Sequence, residues 1–164
     1  MGLFRTVGKT PDGVTLVPWQ SGKSLCWDVT VTCPSQAESY IDRAALEAGA
    51  AAEMAATRKE EKYVDLGARY IFEPIAIETL GVFNASARHL LDDLGRRISE
   101  NTGEARETSF LYQRISILVQ RFNAVLLHDS LPATEYRLHR LMIVPNFVFT
   151  FQFFISLGII CIEG

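Results

Sequence analysis

The sequence predicts a small α/β domain, and three observations carry that reading. Two apolar, β-branched runs, 14–19 and 24–33, are joined by the polar turn Gln20-Ser21-Gly22-Lys23 and read as a hairpin. An alanine-rich stretch separates them from a third apolar run at 69–79. Helical periodicity then takes over, first after Asn84 and again from Glu107.

The elements follow in order. Residues 1–13 are polar and end in the turn signal Pro11-Asp12-Gly13. Val14-Thr15-Leu16-Val17-Pro18-Trp19 is a strand closed by its proline. Ser24 to Cys33 is almost continuously apolar or β-branched, as a buried strand should be, and Pro34 stops it. From Ser35 to about Gly67 the alanines at 44–45, 48, 50–52 and 55–56 predict a helix that sits close to a sheet, with Gly49 as a close-packing point or a break. Arg69 to Thr79 is the third strand. Asn84 or Ser86 caps a helix running to about Ser99, with Leu90, Leu91, Leu94 and Ile98 at helical spacing. Glu107 to about Leu127 is the last helix, apolar at Leu111, Ile115, Leu118, Phe122 and Val125.

The C-terminal segment differs in character. After the basic run Arg137-Leu138-His139-Arg140 come 22 residues, Leu141 to Ile162, without a charge. That length matches a bilayer-spanning helix, and the basic flank would leave the preceding domain in the cytosol. Pro145, Asn146, Gln152 and the β-branched and Phe content suit a strand as well. The expected organisation is therefore one domain over 1–131 and an apolar tail over 132–164, a transmembrane helix or unstructured read-through.

Composition limits the function. The chain has 164 residues, 48% apolar and 21% charged, which supports a core and speaks against global disorder. A net charge of −3 argues against a free-standing nucleic-acid binder, though not against a catalytic module that a larger protein delivers to DNA. Cys26, Cys33 and Cys161 form no CxxC pair and no zinc spacing, and Cys26 and Cys33 read as core thiols. The N-terminus lacks an apolar h-region, so no signal peptide is expected, and Met1-Gly2 with Thr6 matches the myristoylation pattern only loosely.

The chemistry sits on the hairpin. Cleaving a phosphodiester calls for a metal that polarises the phosphate and activates water. Mg²⁺ takes hard oxygen ligands, usually one or two carboxylates plus water and phosphate oxygens. Asp12 precedes the first strand and Asp28 lies within the second, so folding the hairpin draws the two carboxylates together. Asp28 is the more informative, because a carboxylate among Leu, Cys, Trp and Val is costly unless paired or bound to a cation. The alternative for Asp28 is an exposed strand end bonded to Thr30 or a turn amide; for Asp12 it is an ordinary Pro-Asp-Gly turn. A nuclease site also uses a cation near the attacking water. Two residues after Asp28 stands Thr30, so the lysine must come from elsewhere, and Lys59 and Lys62 share a face of the alanine-rich helix.

In order, Thr10-Pro11-Asp12, Trp27-Asp28-Val29-Thr30-Val31, Lys59-Glu60-Glu61-Lys62-Tyr63 and Glu73-Pro74-Ile75-Ala76-Ile77-Glu78 resemble the restriction-enzyme-like endonuclease of non-LTR retrotransposons, a member of the PD-(D/E)xK nuclease class. That family carries Lys/Arg-Pro-Asp, then Asp or Glu, then Lys-x-x-Lys-Tyr on a helix. Gly49-Ala50-Ala51-Ala52, Arg96-Arg97-Ile98, Gln113-Arg114 and Gln120-Arg121 are similar to C-terminal segments of retrotransposon-derived reverse transcriptase proteins, and the likeness covers roughly residues 9–131. It departs at Thr10, where the family has a basic residue, and in a slightly longer gap between the acids. The reverse transcriptase domain and zinc knuckle that precede such nucleases are not in this sequence, which implies a detached fragment.

The resemblance implies a restriction-endonuclease-like mixed sheet flanked by helices. It implies Asp12 and Asp28 as ligands of Mg²⁺ or Mn²⁺, Lys59 or Lys62 as the catalytic cation, and Tyr63 packed near the site or touching phosphate. Glu53 is a candidate supporting acid, and Glu78 reads as structural. Arg114 and Arg121 are seven apart on the last helix, with His128 seven further, so one face holds either a DNA backbone or only solvent. Trp19 and Trp27 read as core anchors. The implied partners are DNA, a reverse transcriptase module in the parent element, and a membrane if 141–162 inserts. An acting nuclease would be intracellular and nuclear. The alternatives are a non-catalytic remnant that keeps the fold, and a tail-anchored membrane protein.

Overall fold

A computed structural model describes residues 10–33 and 47–130. Three strands and three helices are present among them: β1 (Gly13–Val14), β2 (Leu25–Thr32), α1 (Ala50–Lys62), β3 (Ile71–Glu78), α2 (Ala85–Thr102) and α3 (Glu107–Ser130). The protein is mixed α/β, with a three-stranded sheet in the order β1-β2-β3. β1 runs antiparallel to β2, and β3 runs parallel to it. A parallel neighbour needs a long crossover, which α1 and the 3-10 turn Val64–Ala68 provide.

The chain forms two compact units. The first comprises the described residues up to Glu78 together with Val82–Leu90, and the second comprises Thr79–Gly81 and the described residues from Leu91.

In the first unit the hairpin is tighter than its sequence suggests. Only Gly13 and Val14 pair with β2, although the apolar run continues to Trp19. Thr15 ends the ladder with its side chain. Its backbone N–H donates to Leu25 O at 2.8 Å, and its hydroxyl accepts from Leu25 N at 3.0 Å and donates to Val17 O at 2.7 Å. The chain then bends outward, leaving Leu16 almost wholly exposed, and Pro18 brings no donor to restart pairing. The tip reverses through Ser21 and Gly22, both at positive φ, the geometry that matches strand twist.

Strand β2 is buried along nearly its whole length, consistent with its almost continuous apolar and β-branched character. One face, carrying Leu25, Trp27 and Val29, aligns in register with Ile71, Glu73 and Ile75 of β3. Trp27 is 2% exposed, and its ring lies so close over Gly13 that a Cβ there would come within 2.3 Å of it. Full burial of each such large apolar side chain contributes about 1.5–3 kcal/mol. The other face receives α1.

Helix α1 was expected within a longer helix from Ser35 to about Gly67; residues 34–46 lie outside the described residues. The break falls at Gly49, whose φ of 93° belongs to the left-handed region that glycine tolerates. Ala52, Ala55 and Ala56 pack on Ala76 of β3, and these small side chains seat the helix close to the sheet. The same stripe continues at intervals of four, three and four residues through Ala52, Ala56, Lys59 and Tyr63, so its far end brings polar groups onto β2. Tyr63 caps the helix, its N–H shared between the carbonyls of Lys59 and Glu60.

Both helix N-termini in this unit end on carboxylates supplied from elsewhere in the chain. Glu78 is 4% exposed and accepts from Ala51 N at 3.1 Å. Glu53 accepts from Ala85 N at 2.5 Å. A carboxylate at this position satisfies an orphan N–H and meets the positive end of the helix dipole. Asn84, expected as a side-chain cap, instead accepts from Ala76 N at 2.8 Å and donates to Pro74 O and Ser86 Oγ. It thus covers the outer edge of β3, which would otherwise present open backbone groups.

In the second unit, Leu91 and Leu94 of α2 and Leu111, Ile115 and Val119 of α3 are buried. Tyr112 donates to Asp92 at 3.0 Å, and Asn123 donates to Thr79 O. Arg96 and Arg97 pair with Asp93, and Arg96 also with Glu100, one turn away along the same exposed helix face. The apolar segment 141–162 lies outside the described residues. Among those described, no helix is long and apolar enough to cross a membrane.

Candidate active site

The site forms where the end of α1 crosses the hairpin. β1 pairs Gly13 with Trp27 and Val14 with Cys26, and Asp12, at the bend just before β1, lies near enough to Asp28, Lys59 and Lys62 to feel their charges. Asp12 is tied to β2 at both ends. Its N–H donates to Trp27 O at 3.0 Å, and its Oδ2 accepts from Val29 N at 2.7 Å.

Asp28 is 4% exposed and engaged at both oxygens. Lys59 Nζ donates to Oδ1 and forms an ion pair; its side chain remains 25% exposed. Tyr63 OH donates to Oδ2 at 2.6 Å. Lys62 reaches the Tyr63 hydroxyl instead of a carboxylate, at 2.9 Å. The Tyr63 oxygen also lies 3.1 Å from the Thr10 carbonyl. Thr30, on the same face as Asp28 by strand alternation, has a buried hydroxyl with no partner among the described residues. The ammonium on this face, that of Lys59, is delivered by α1.

Electrostatics follow from burial first. Burial raises the Asp12 carboxyl above its usual range, the Val29 N–H pulls it down, and the neighbouring Asp28 charge pushes it up again. Burial likewise raises the Tyr63 hydroxyl well above its ordinary value, with the Asp28 hydrogen bond and charge adding to it, so it remains a proton donor. The Cys26 thiol, on the strand face of Asp28, is pushed up to about 11 by burial and then by Asp28. It is therefore a protonated core thiol and no nucleophile.

Of the sequence candidates, Asp12, Asp28, Lys59, Lys62 and Tyr63 come together in one unit. Glu53 and Glu78 do not join them, since each holds a helix N-terminus. Arg114, Arg121 and His128 lie along the exposed side of α3 in the second unit. Trp27 is core, whereas Trp19 is half-buried on the hairpin. Tyr63 is 4% exposed with its hydroxyl turned inward, so it faces the acids and not solvent.

Two features escaped the sequence reading. The Thr10 carbonyl is a backbone group with no residue signal. Glu73 of β3 has its carboxyl raised to about 7, by burial and then by the Glu60 charge, against a Ser86 hydrogen bond that lowers it. Its signal was present, a carboxylate inside an apolar run, the same pattern that singled out Asp28.

Comparison of the chain with protein-family models, with curated proteins and with solved structures finds no match. Among the described residues, no three His, Cys, Asp or Glu side chains gather in one place. Two neighbouring carboxylates, Asp12 and Asp28, remain. That count of hard oxygen donors fits Mg²⁺ or Mn²⁺, which keep water and take phosphate oxygens for their other positions, and does not fit a closed structural zinc site.

Proposed function

We propose that this chain is an endonuclease-like domain of the restriction-enzyme-like PD-(D/E)xK type, similar to the nuclease of non-LTR retrotransposons, and that it nicks DNA with Mg²⁺ or Mn²⁺. The observation that carries the reading is the gathering of Asp12, Asp28 and Lys59 from three separate segments of chain, Lys59 paired with Asp28 and Asp12 close enough to feel both charges. Bound by the two carboxylates, the metal would polarise the scissile phosphate and acidify a water. Asp12 and Asp28 hold that charge in place. Lys59, partly exposed at the rim of the pair, is the cation suited to orient the attacking water or offset charge developing on the phosphate. Arg114 and Arg121 are proposed contacts to the DNA backbone. The partners in this reading are DNA and the reverse transcriptase module of a parent element, and the place of action is the nucleus.

The test is nicking of supercoiled plasmid by purified protein with Mg²⁺ or Mn²⁺. The wild-type chain should convert supercoiled to open-circular DNA, and Asp12→Ala and Asp28→Ala should each abolish the conversion while the protein stays folded. A wild-type chain that never nicks with either metal refutes the reading.

One observation favours a second reading, a non-catalytic scaffold that keeps the fold. Asp28 already has a counter-charge and a hydroxyl donor, so the cluster is self-sufficient as a structural ion pair. A chain that does not nick and that Mn²⁺ fails to stabilise would be this scaffold. A membrane anchor over 141–162 is tested separately, by asking whether residues 135–164 carry a soluble reporter to membranes.

A further inference from the structure

We infer that Tyr63 is a positioning residue for the acidic pair, a bridge that fixes Asp28 relative to the chain leading into Asp12. The inference rests on the reading of Asp12 and Asp28 as one cation seat.

A buried hydroxyl is costly unless bonded, and Tyr63, at 4% exposure, has three polar neighbours. It owns a single proton. The hydroxyl donates to both Asp28 Oδ2 at 2.6 Å and Thr10 O at 3.1 Å, a three-centre bond whose shorter and stronger arm ends on the carboxylate. Lys62 donates into the same oxygen from behind, at 2.9 Å. Lys62, Tyr63 and Asp28 thus form a directed chain of donors ending on the carboxylate.

The ring is held as firmly as the hydroxyl. Phe72 packs against it at 4.9 Å between centroids, and the Lys62 ammonium lies 4.5 Å from its centre. The residue is also the C-cap of α1, so its backbone cannot shift without unwinding the helix end. Thr10 stands two places before Asp12, and a tyrosine wedged between Thr10 and Asp28 sets the spacing of the two acids. Outer hydrogen-bond partners of this kind typically change metal affinity about 10–100-fold when removed.

The experiment compares Tyr63→Phe with the full wild-type chain by ¹⁵N-resolved NMR and by Mn²⁺ titration. Phenylalanine keeps the ring and removes only the bridge. The Val29 amide, which donates to Asp12 Oδ2, should shift upfield and exchange faster with solvent. Affinity for Mn²⁺ should fall at least about tenfold, while far-UV circular dichroism stays unchanged. An unmoved Val29 amide overturns the inference, and so does an unchanged Mn²⁺ affinity. A wild-type chain that binds no Mn²⁺ brings down the cation seat itself and leaves the bridge to be judged by the amide alone. Should Tyr63→Phe not fold, Lys62→Met removes the donor behind the hydroxyl and leaves the ring. It should move the same amide in the same direction by less, and no movement would again overturn the bridge.

Discussion

Replacing Lys59 by methionine isolates the charge that Asp28 depends on. The methionine stem retains most of the apolar packing along α1 and removes the ammonium. Asp28 is then a 4%-exposed carboxylate with the Tyr63 hydroxyl as its remaining side-chain donor. Removing one partner of a buried ion pair costs about 3–5 kcal/mol. Lys59 is 25% exposed on its side chain, so water partly screens the pair, and the expected loss is about 2–3 kcal/mol. Urea denaturation measures it directly. The double variant Asp28→Asn with Lys59→Met should lose less than the sum of the single losses, because no charge is left stranded. If the acids form a cation seat, about 10 mM Mn²⁺ should restore Lys59→Met by more than it raises the wild type, since binding to the native state alone adds RT ln(1 + [L]/Kd). A loss under about 0.5 kcal/mol, the usual range for surface changes, would refute the claim that Asp28 needs this partner. Additive single and double variants would refute the pairing itself.

Further outcomes follow from other parts of the chain. Gly13→Ala should cost about 1–3 kcal/mol in urea denaturation and alter Trp27 fluorescence, because the new Cβ would fall 2.3 Å from the ring; a silent substitution would show that the ring has room. Glu73→Gln should leave stability unchanged near pH 4 and raise it near pH 8. The folded-state carboxyl sits near 7 against an ordinary 4.5, so the native state holds its proton longer than the unfolded chain and loses stability as pH rises through that window. Solvent screening limits the gain to roughly 1 kcal/mol, and equal melting shifts at both pH values would contradict it. Arg114→Gln with Arg121→Gln should weaken DNA binding and reduce the slope of log K against log salt by about 2, with no change in melting temperature; an unchanged slope means that neither touches phosphate.

The mixed sheet was legible because its strands are written in an apolar, β-branched alphabet, interrupted by the turn at Gln20 to Lys23 and the alanines before Lys59. The parallel pairing of β3 was implied by the helix between the strands. The extent of β1 was not legible: Val14 to Trp19 has strand composition throughout, yet the Thr15 hydroxyl takes over the ladder and turns the chain away. Side-chain hydrogen bonds that compete with backbone pairing leave no trace in hydrophobic pattern. Asp28 stood out as a charge in an apolar strand, and Lys59 as a cation on a helix face; that the two meet depends on register and helix seating, which composition does not encode. Asn84, offered with Ser86 as the helix cap, does stand at the N-cap position, its carbonyl accepting from Arg88 N, but its side chain is used elsewhere for a related reason. The Ala76 N–H and Pro74 carbonyl on the edge of β3 take that side chain, while Glu53 arrives from another helix to accept from Ala85 N.

The alanine floor beneath α1 has a reach beyond packing. Because Ala52, Ala55, Ala56 and Ala76 are small, the helix axis rides low, and the side chains at its far end have only a short span to cross before meeting β2. The altitude of the helix is thus a dimension of the acidic cluster, set two turns away from it. A single added methyl group in that layer would tilt the helix like a lever and lift the lysine from its carboxylate, so an apolar substitution in the alanine layer would act on the ion pair.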